Sequence, residues 1–312
     1  MNTIEIDPVI DEPERRRRLY AGRVLLLNRF DRELKIVSHA RAMLEAAFPH
    51  VDPRLAQYHM PVDEFAGIFA RLKPEFIHHP VSWRSIADCL VEAGCNPETT
   101  YLDVPRLRIS TSDGYLTSGV AYAHHPHRDT WWSSPFQQIN WWAPIYEFTS
   151  ESGMAFHPRY WEQVAVNDSS RFDYYDWNTN QRKNASQHVT SDTRWQPHAL
   201  EELELEPEVR LVFGPGGAMA FSGAQLHSTV PNTSGRTRYS YDFRTIDIED
   251  VIAGHGAPNV DSAPNGTSLR DFKRLSDGAR VSDEIAARFD GRRSDPESLV
   301  FQPASAFECH KP

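Results

Sequence analysis

Apolar side chains recur over residues 14–48 at Leu27, Phe30, Leu34, Val37, Ala40, Leu44 and Phe48. Steps of three or four bring such positions to one face of a helix, so the spacing predicts a single long amphipathic helix there. Two shorter helical patterns follow, from about Pro61 to Leu72 and from Ser82 to Ala93, with Ser82 placed to cap the second and Gly94 to end it. From Thr100 the pattern changes to strand-like runs: Tyr101–Thr111, a Ser112-Asp113-Gly114 turn, then Tyr115–Ala123. Further strands are expected at Gln137–Phe148, Val209–Phe213, Ala218–Phe221 and Arg236–Ile246. Helices first and short strands afterwards predict an α+β chain whose β part is a sandwich or barrel. The expected organisation is a helical part over 1–99, a β core over 100–249 with a polar insertion at 160–206, and a C-terminal extension over 250–312. That extension is rich in Gly, Pro, Ser and charge, and carries one helical stretch near Ser282–Phe289. A long insertion in a small domain is often functional, and this one is expected to cover the mouth of a site together with part of the extension.

Composition narrows the class. With 312 residues and 40% apolar content, one large core and one domain are expected. A formal net charge of -10 argues against nucleic acid, whose sequence-independent affinity needs clustered Lys and Arg. The basic run Arg15–Arg18 leads into apolar residues and reads as the exposed start of a helix. Cys89, Cys95 and Cys309 leave an odd thiol and have no C-x-x-C spacing, which argues against a disulfide framework or a zinc knuckle. Residues 1–13 lack the basic start and apolar stretch of a signal peptide, and no apolar run approaches a membrane span. A soluble, cytoplasmic protein with no membrane partner is expected.

The segment that carries chemistry is His124-His125-Pro126-His127-Arg128-Asp129. It supplies an H-x-D pair, His127 and Asp129, directly after an expected strand. Residues two apart on an extended backbone project to the same side and can converge on one ion. A distal histidine, His227, lies in Gly223-Ala224-Gln225-Leu226-His227-Ser228-Thr229. Two histidines and one carboxylate form the facial triad of non-haem Fe(II) oxygenases, which leaves positions open for cosubstrate and dioxygen. Eleven residues after His227 comes Arg238-Tyr239-Ser240, inside an alternating run that puts Arg238 and Ser240 on one side. An interior guanidinium needs an anionic partner, and a dicarboxylate cosubstrate held by paired hydrogen bonds is one.

With those residues in place, the chain resembles the 2-oxoglutarate oxygenases. The text His127-Arg128-Asp129-Thr130-Trp131-Trp132, Gln138-Ile139-Asn140-Trp141-Trp142, Glu151-Ser152-Gly153-Met154-Ala155-Phe156-His157-Pro158 and His227 through Arg236 is similar to bacterial members of the phytanoyl-CoA dioxygenase group. It covers roughly residues 100–246. It departs from many relatives at His157-Pro158-Arg159, where they have a Pro-Gly-Ser-His turn. The resemblance implies a double-stranded β-helix of jelly-roll or cupin-like type. It implies iron(II) on His127, Asp129 and His227, and the distal carboxylate of 2-oxoglutarate on Arg238. Ser240, Asn140 and Thr229 are further candidate cosubstrate contacts, and Trp132, Trp142 and Arg159 are candidate contacts to a small-molecule substrate. The implied reaction consumes dioxygen and releases succinate and carbon dioxide. An Asp at the carboxylate position favours hydroxylation or another oxidation over halogenation.

Rival assignments are open at this stage. His124 and His125 flank the motif without a carboxylate two residues on, and Arg236 shares a face with Arg238. Alternation turns one tryptophan of each adjacent pair, 131/132 and 141/142, away from the site. A cupin-type metalloenzyme that does not use 2-oxoglutarate, or a non-catalytic metal-binding barrel, would share the ligands but give no reason for Arg238. Nothing in the sequence selects a substrate.

Overall fold

The helical third is interrupted. The computed structural model describes residues 4–181 and 194–291. In it, strand β1 (Ile4–Ile6) and helix α1 (Glu12–Tyr20) lead to strand β2 (Val24–Leu27) and only then to helix α2 (Lys35–Ala47). This corrects the single helix expected over 14–48. Gly22, at φ +86°, turns the chain out of α1, and the unbroken apolar run Val24–Leu27 suits a strand with neighbours on both sides. Asp31 starts α2 afresh: its carboxylate accepts from the backbone N–H groups of Lys35, Ile36 and Val37 at 2.8, 3.1 and 3.1 Å. Phe30, Val37, Ala40, Leu44 and Phe48 are all buried in the main core, so the periodicity was a sound reading of burial but not of continuity. Leu34 is exposed, with φ +54°.

Helix α3 (Val62–His78) runs past the expected Leu72, through Pro74, and α4 (Pro80–Glu92) follows. His79, not Ser82, caps α4: its Nδ1 accepts from the Val81 N–H at 3.2 Å, while buried Ser82 meets His39 Nε2 at 3.2 Å. Gly94 follows the helix at φ +89°. The expected strand 101–111 is two strands, β3 (Thr100–Leu102) and β4 (Arg106–Ser110), divided around Pro105, which has no N–H to donate. Tyr115–Ala123 is not a strand. The turn at Asp113 (φ +57°) and Gly114 (φ +69°) is as expected, but Gly119 bends the chain again, and the run packs Leu116, Val120 and Ala121 into the core from an irregular backbone.

The remaining strands are β5 (Ile139–Pro144), β6 (Met154–Phe156), β7 (Val209–Arg210), β8 (Ala218–Ser222), β9 (His227–Thr229), β10 (Arg238–Asp247) and β11 (Lys273–Arg274). They form an eight-stranded sheet, ordered β1-β2-β8-β5-β10-β3-β11 with β4 also on β10, and a three-stranded sheet β7-β6-β9. The expected C-terminal helix is one turn, Asp283–Ala286, under Ser282. Within the expected insertion and extension, 182–193 and 292–312, with Cys309, lie outside the described residues. No helix among the described residues is long and apolar enough to cross a membrane.

Alternation along β10 decides where the core ends and the site begins. Tyr239, Tyr241 and Phe243 face the helices, joined by Leu107 and Ile109 of β4 and Trp141 and Ala143 of β5. Phe65, Phe69 and Phe76 of α3 and Ile36, Val37 and Leu44 of α2 complete this cluster, and Trp141 stacks on Phe243 with ring centroids 5.9 Å apart. The intervening residues Arg238, Ser240, Asp242 and Arg244 face the other way. Register sets Asn140 opposite Arg244, Trp142 opposite Asp242, and Arg106 and Arg108 opposite Asp242 and Ser240. On that side Trp142, Met219, Phe221, Phe148 and Phe156 join the two sheets in a second apolar cluster.

The two core tyrosines of β10 differ in one respect. Tyr239 donates its hydroxyl to the Pro53 carbonyl at 2.8 Å, whereas the equally buried Tyr241 hydroxyl has no hydrogen-bond partner among the described residues. An unpaired buried hydroxyl costs about 1 to 3 kcal/mol, and a paired one contributes about 1. Urea denaturation of the two variants should therefore give Tyr241→Phe at or above wild-type stability and Tyr239→Phe about 1 kcal/mol below it. The opposite order would contradict this assignment of the hydroxyl groups.

Candidate metal centre

His127 and His227 are brought together by backbone before side chain. Each donates its N–H to the other's carbonyl at 2.9 Å, an isolated antiparallel bridge across a hundred residues. The rings then lie 4.3 Å apart, centroid to centroid. His127 Nδ1 sits 2.6 Å from the His125 carbonyl and His227 Nδ1 sits 3.0 Å from the Gln225 carbonyl. An Nδ1–H donated to a carbonyl leaves the Nε2 lone pair of each ring for another partner. Both Nε2 atoms face Asp129 Oδ1, at 3.5 and 3.8 Å. The ligand atoms of the three buried residues all lie within 4.8 Å of one another, the one such His, Cys, Asp or Glu cluster among the described residues.

Asp129 is positioned by the chain on either side of it. Arg128 is extended, and Asp129 opens a 3-10 turn, Asp129–Trp132, whose first N–H donates to the Gly223 carbonyl at 2.9 Å. Its outer oxygen, Oδ2, accepts from Gln138 Nε2 at 3.0 Å and Asn140 Nδ2 at 2.8 Å, with Arg244 Nε 3.6 Å away. Oδ1 is thereby left for the two histidines. Burial alone would raise the pKa of this carboxyl. The interaction with His127 and the charge of Arg244 outweigh burial and hold it well below the ordinary range. Burial, with His127 alongside, pushes His227 down to about 3, the neutral form that carries a lone pair. Two imidazole nitrogens and one carboxylate oxygen on one side of a cleft suit a divalent first-row metal such as iron(II). Arg128 turns away from the cluster: its buried guanidinium pairs with Asp261 at 3.0 Å and donates to the carbonyls of Ala224, Tyr160 and Gln163.

The cluster opens on a cavity of about 630 Å³. Arg238 reaches it from β10, held by Nε to the Ser152 carbonyl at 2.9 Å and by a second nitrogen to Ser240 Oγ at 2.6 Å, above the Trp142 ring at 5.4 Å. Among the described residues no carboxylate is within 4.0 Å of it. Burial, with Arg108 nearby, pushes its pKa down to about 10. Arg236 is exposed instead. Thr229 lines the cavity with its backbone and hydroxyl engaged by His124, at 3.0 and 3.2 Å. Trp132 stands edge-on to His127 at 4.8 Å and lines the cavity with Trp142 and with Trp141, which is also packed in the helix-side core, whereas Trp131 donates to Asp261. His124 lines the cavity outside the cluster, its Nδ1 buried without a partner among the described residues, and His125 is exposed.

Asn140 also lines the cavity, with its amide donating to Asp129 and its oxygen accepting from Gln138 Nε2 at 2.8 Å, so it braces the carboxylate ligand. Arg159 is an exposed residue paired with Glu204 and does not line the cavity. Gln138, Arg244, Arg106, Arg108 and Lys73 were not singled out from sequence, yet all line the cavity or contact Asp129. A signal was present, since 138, 140 and 142 alternate onto one face, as do 238, 240, 242 and 244. From the expected insertion, Phe172, Trp177 and Arg194 close one side of the cavity.

No family model and no curated protein matches the chain. Among solved structures, the α-ketoglutarate-dependent epimerase SnoN from nogalamycin biosynthesis is similar over 76% of this chain and 84% of its own, at 14% identity and TM-score 0.40. EvdO2 from Micromonospora carbonacea var. aurantiaca, complexed with 2-oxoglutarate, covers 77% and 92% at 15% identity and TM-score 0.41. The non-heme monooxygenase ThoJ in its nickel complex covers 86% and 82% at 15% identity and TM-score 0.36. Likeness this low does not decide the chemistry, which rests on the side chains themselves.

Residues that orient a metal ligand usually matter to affinity by about 10- to 100-fold. Asn140→Ala and Gln138→Ala should each weaken iron(II) binding by that order in an anaerobic titration, and Arg159→Ala should leave it unchanged. Unchanged affinity in both amide variants would remove the bracing role.

Proposed function

We propose that this chain is an iron(II)- and 2-oxoglutarate-dependent oxygenase, on a double-stranded β-helix, that oxidises a small molecule and releases succinate and carbon dioxide. One observation carries the cosubstrate: Arg238, a buried guanidinium in the same cavity as the His127, Asp129 and His227 cluster, has no carboxylate in contact among the described residues. Arg106, Arg108 and Arg244 of that cavity all have one. A buried charge without a counter-charge is costly, and the distal carboxylate of 2-oxoglutarate would supply it. A cupin-type enzyme without 2-oxoglutarate leaves this residue unexplained.

The division of labour follows. His127, Asp129 and His227 would hold the iron, and Gln138 and Asn140 keep Asp129 turned so that one oxygen faces it. Arg238, fixed by Ser152 and Ser240, would hold the distal end of the cosubstrate and set its direction across the cavity. When bound, iron and 2-oxoglutarate supply the oxidising chemistry with dioxygen. The protein adds position: Trp132 and Phe221, with ring centroids 4.8 Å from His127 and 5.0 Å from His227, give apolar walls that keep water from the reacting region and hold a substrate C–H in place.

Succinate released by purified protein supplied with iron(II), 2-oxoglutarate and ascorbate tests this reading, and its loss in Asp129→Ala ties it to the cluster. No succinate from the metal-loaded protein, across a panel of small molecules, would refute it. Arg238→Gln should raise the 2-oxoglutarate requirement at least about thirtyfold, equivalent to about 2 to 5 kcal/mol, because a charge-assisted contact is lost from a buried site. Exposed Arg236→Gln should change it little. Equal sensitivity at the two positions would misplace the cosubstrate.

A further inference from the structure

The cavity has a second charged region that the metal and cosubstrate do not use. On the wall built by α3, β4 and β10, four cations, Lys73, Arg106, Arg108 and Arg244, stand with two carboxylates, Asp103 and Asp242. Arg106 pairs with Asp103 at 2.6 Å, and Arg108 engages Asp242 through two nitrogens, the longer contact at 3.4 Å. Arg244 is shared between Asp103 and Asp242, 3.6 Å from each. It also approaches Asp129, but that carboxylate belongs to the metal centre. Lys73 is left over. Its ammonium donates to the Val120 carbonyl at 2.6 Å and forms no ion pair among the described residues. Bound iron, Asp129, 2-oxoglutarate and Arg238 would sum to neutrality, so among the described residues this wall would keep an excess of positive charge in a chain whose net charge is -10.

We propose that Lys73, with Arg106 and Arg108 beside it, receives an acidic group of the oxidised substrate, so that the substrate is a small organic acid bearing a carboxylate or a phosphate. The inference rests on the proposed oxygenase function. Three features support it. A half-buried ammonium with only a carbonyl partner still has two N–H donors to offer. Burial and the charge of Arg108 push the Lys73 pKa down to about 7, a cost that an anion in contact would offset. Phe69, Ile77 and Val120, next to Lys73 along the cavity wall, give the apolar remainder of such an acid a surface to pack on. The acid group would thereby be fixed at one end of the cavity and the carbon skeleton laid toward the metal.

Isothermal titration of the anaerobic, iron-loaded protein saturated with 2-oxoglutarate provides the test, because the metal and Arg238 are then occupied. The probes are phenyl phosphate and phenylacetate, with phenol as the neutral control. At least one anion should bind more tightly than phenol, and which one does decides between the two acid groups. Lys73→Met should weaken that binding about tenfold or more while 2-oxoglutarate still binds, and Lys73→Arg should largely restore it. Binding of phenol as tight as both anions, no binding of either anion, or full anion affinity in Lys73→Met would overturn the proposal. Loss of anion binding in Arg238→Gln but not in Lys73→Met would place the anion at the cosubstrate position, with the same consequence. If 2-oxoglutarate itself fails to bind, the oxygenase reading falls, and the same titration without it still judges Lys73.

Discussion

Asp129 carries a negative charge at a depth where burial by itself would favour its protonated form, and much of the surrounding structure is arranged around keeping that charge. Two amides donate to its outer oxygen with a guanidinium close by, and two imidazoles face its inner one. The amides come from one strand, β5, and its approach to it, and the guanidinium from β10 beside it. The site therefore depends on β5 and β10 being in register, with Asn140 opposite Arg244. The same pairing sets Trp141 against Phe243 on the opposite face, so the packing of the core and the orientation of the ligand are secured by one set of hydrogen bonds.

The cavity is best understood as a balance of buried charges. Paired ions such as Arg106 with Asp103 stabilise little in net terms, since desolvation opposes their attraction. What they do is hold a polar surface rigid on a sheet that is apolar on its other side. Against that background, Arg238 and Lys73 differ from their neighbours because each donates only to neutral oxygens. They sit on different elements, β10 and α3. On the proposed reading, a substrate and a cosubstrate would be held from separate directions.

How much of this was legible in the sequence depended on whether a feature was local. His127-Arg128-Asp129 could be found because its chemistry is written within three residues, and Arg238 because strand alternation pairs it with Ser240. The spacing from Leu27 to Phe48 reports burial and not one long helix, because a strand, a turn and a helix can share it when all pack on one core. Tyr115–Ala123 has strand-like content but lies where glycines bend the chain. Asn140 was recognised as facing the site, yet its partner was not, because the Asp129 side chain reaches it only through a turn. The charges of Arg106, Arg108 and Lys73 look ordinary along the chain and acquire meaning only when register sets two of them opposite Asp242 and Ser240 and α3 brings up the third.

The mutual backbone bridge between His127 and His227 has a consequence for folding. The two ligands are separated by a hundred residues and meet through main-chain bonds at the junction of β9 with the turn before Asp129. Closing so long a loop costs conformational entropy that a few local contacts cannot repay, so the site exists only once both sheets have assembled. An ion held there recognises the folded chain and not the unfolded one, and by mass action its binding free energy adds to that of the fold. Occupancy of the centre and the folded fraction of the chain would thus be linked, so that metal supply would raise the stability of the native state.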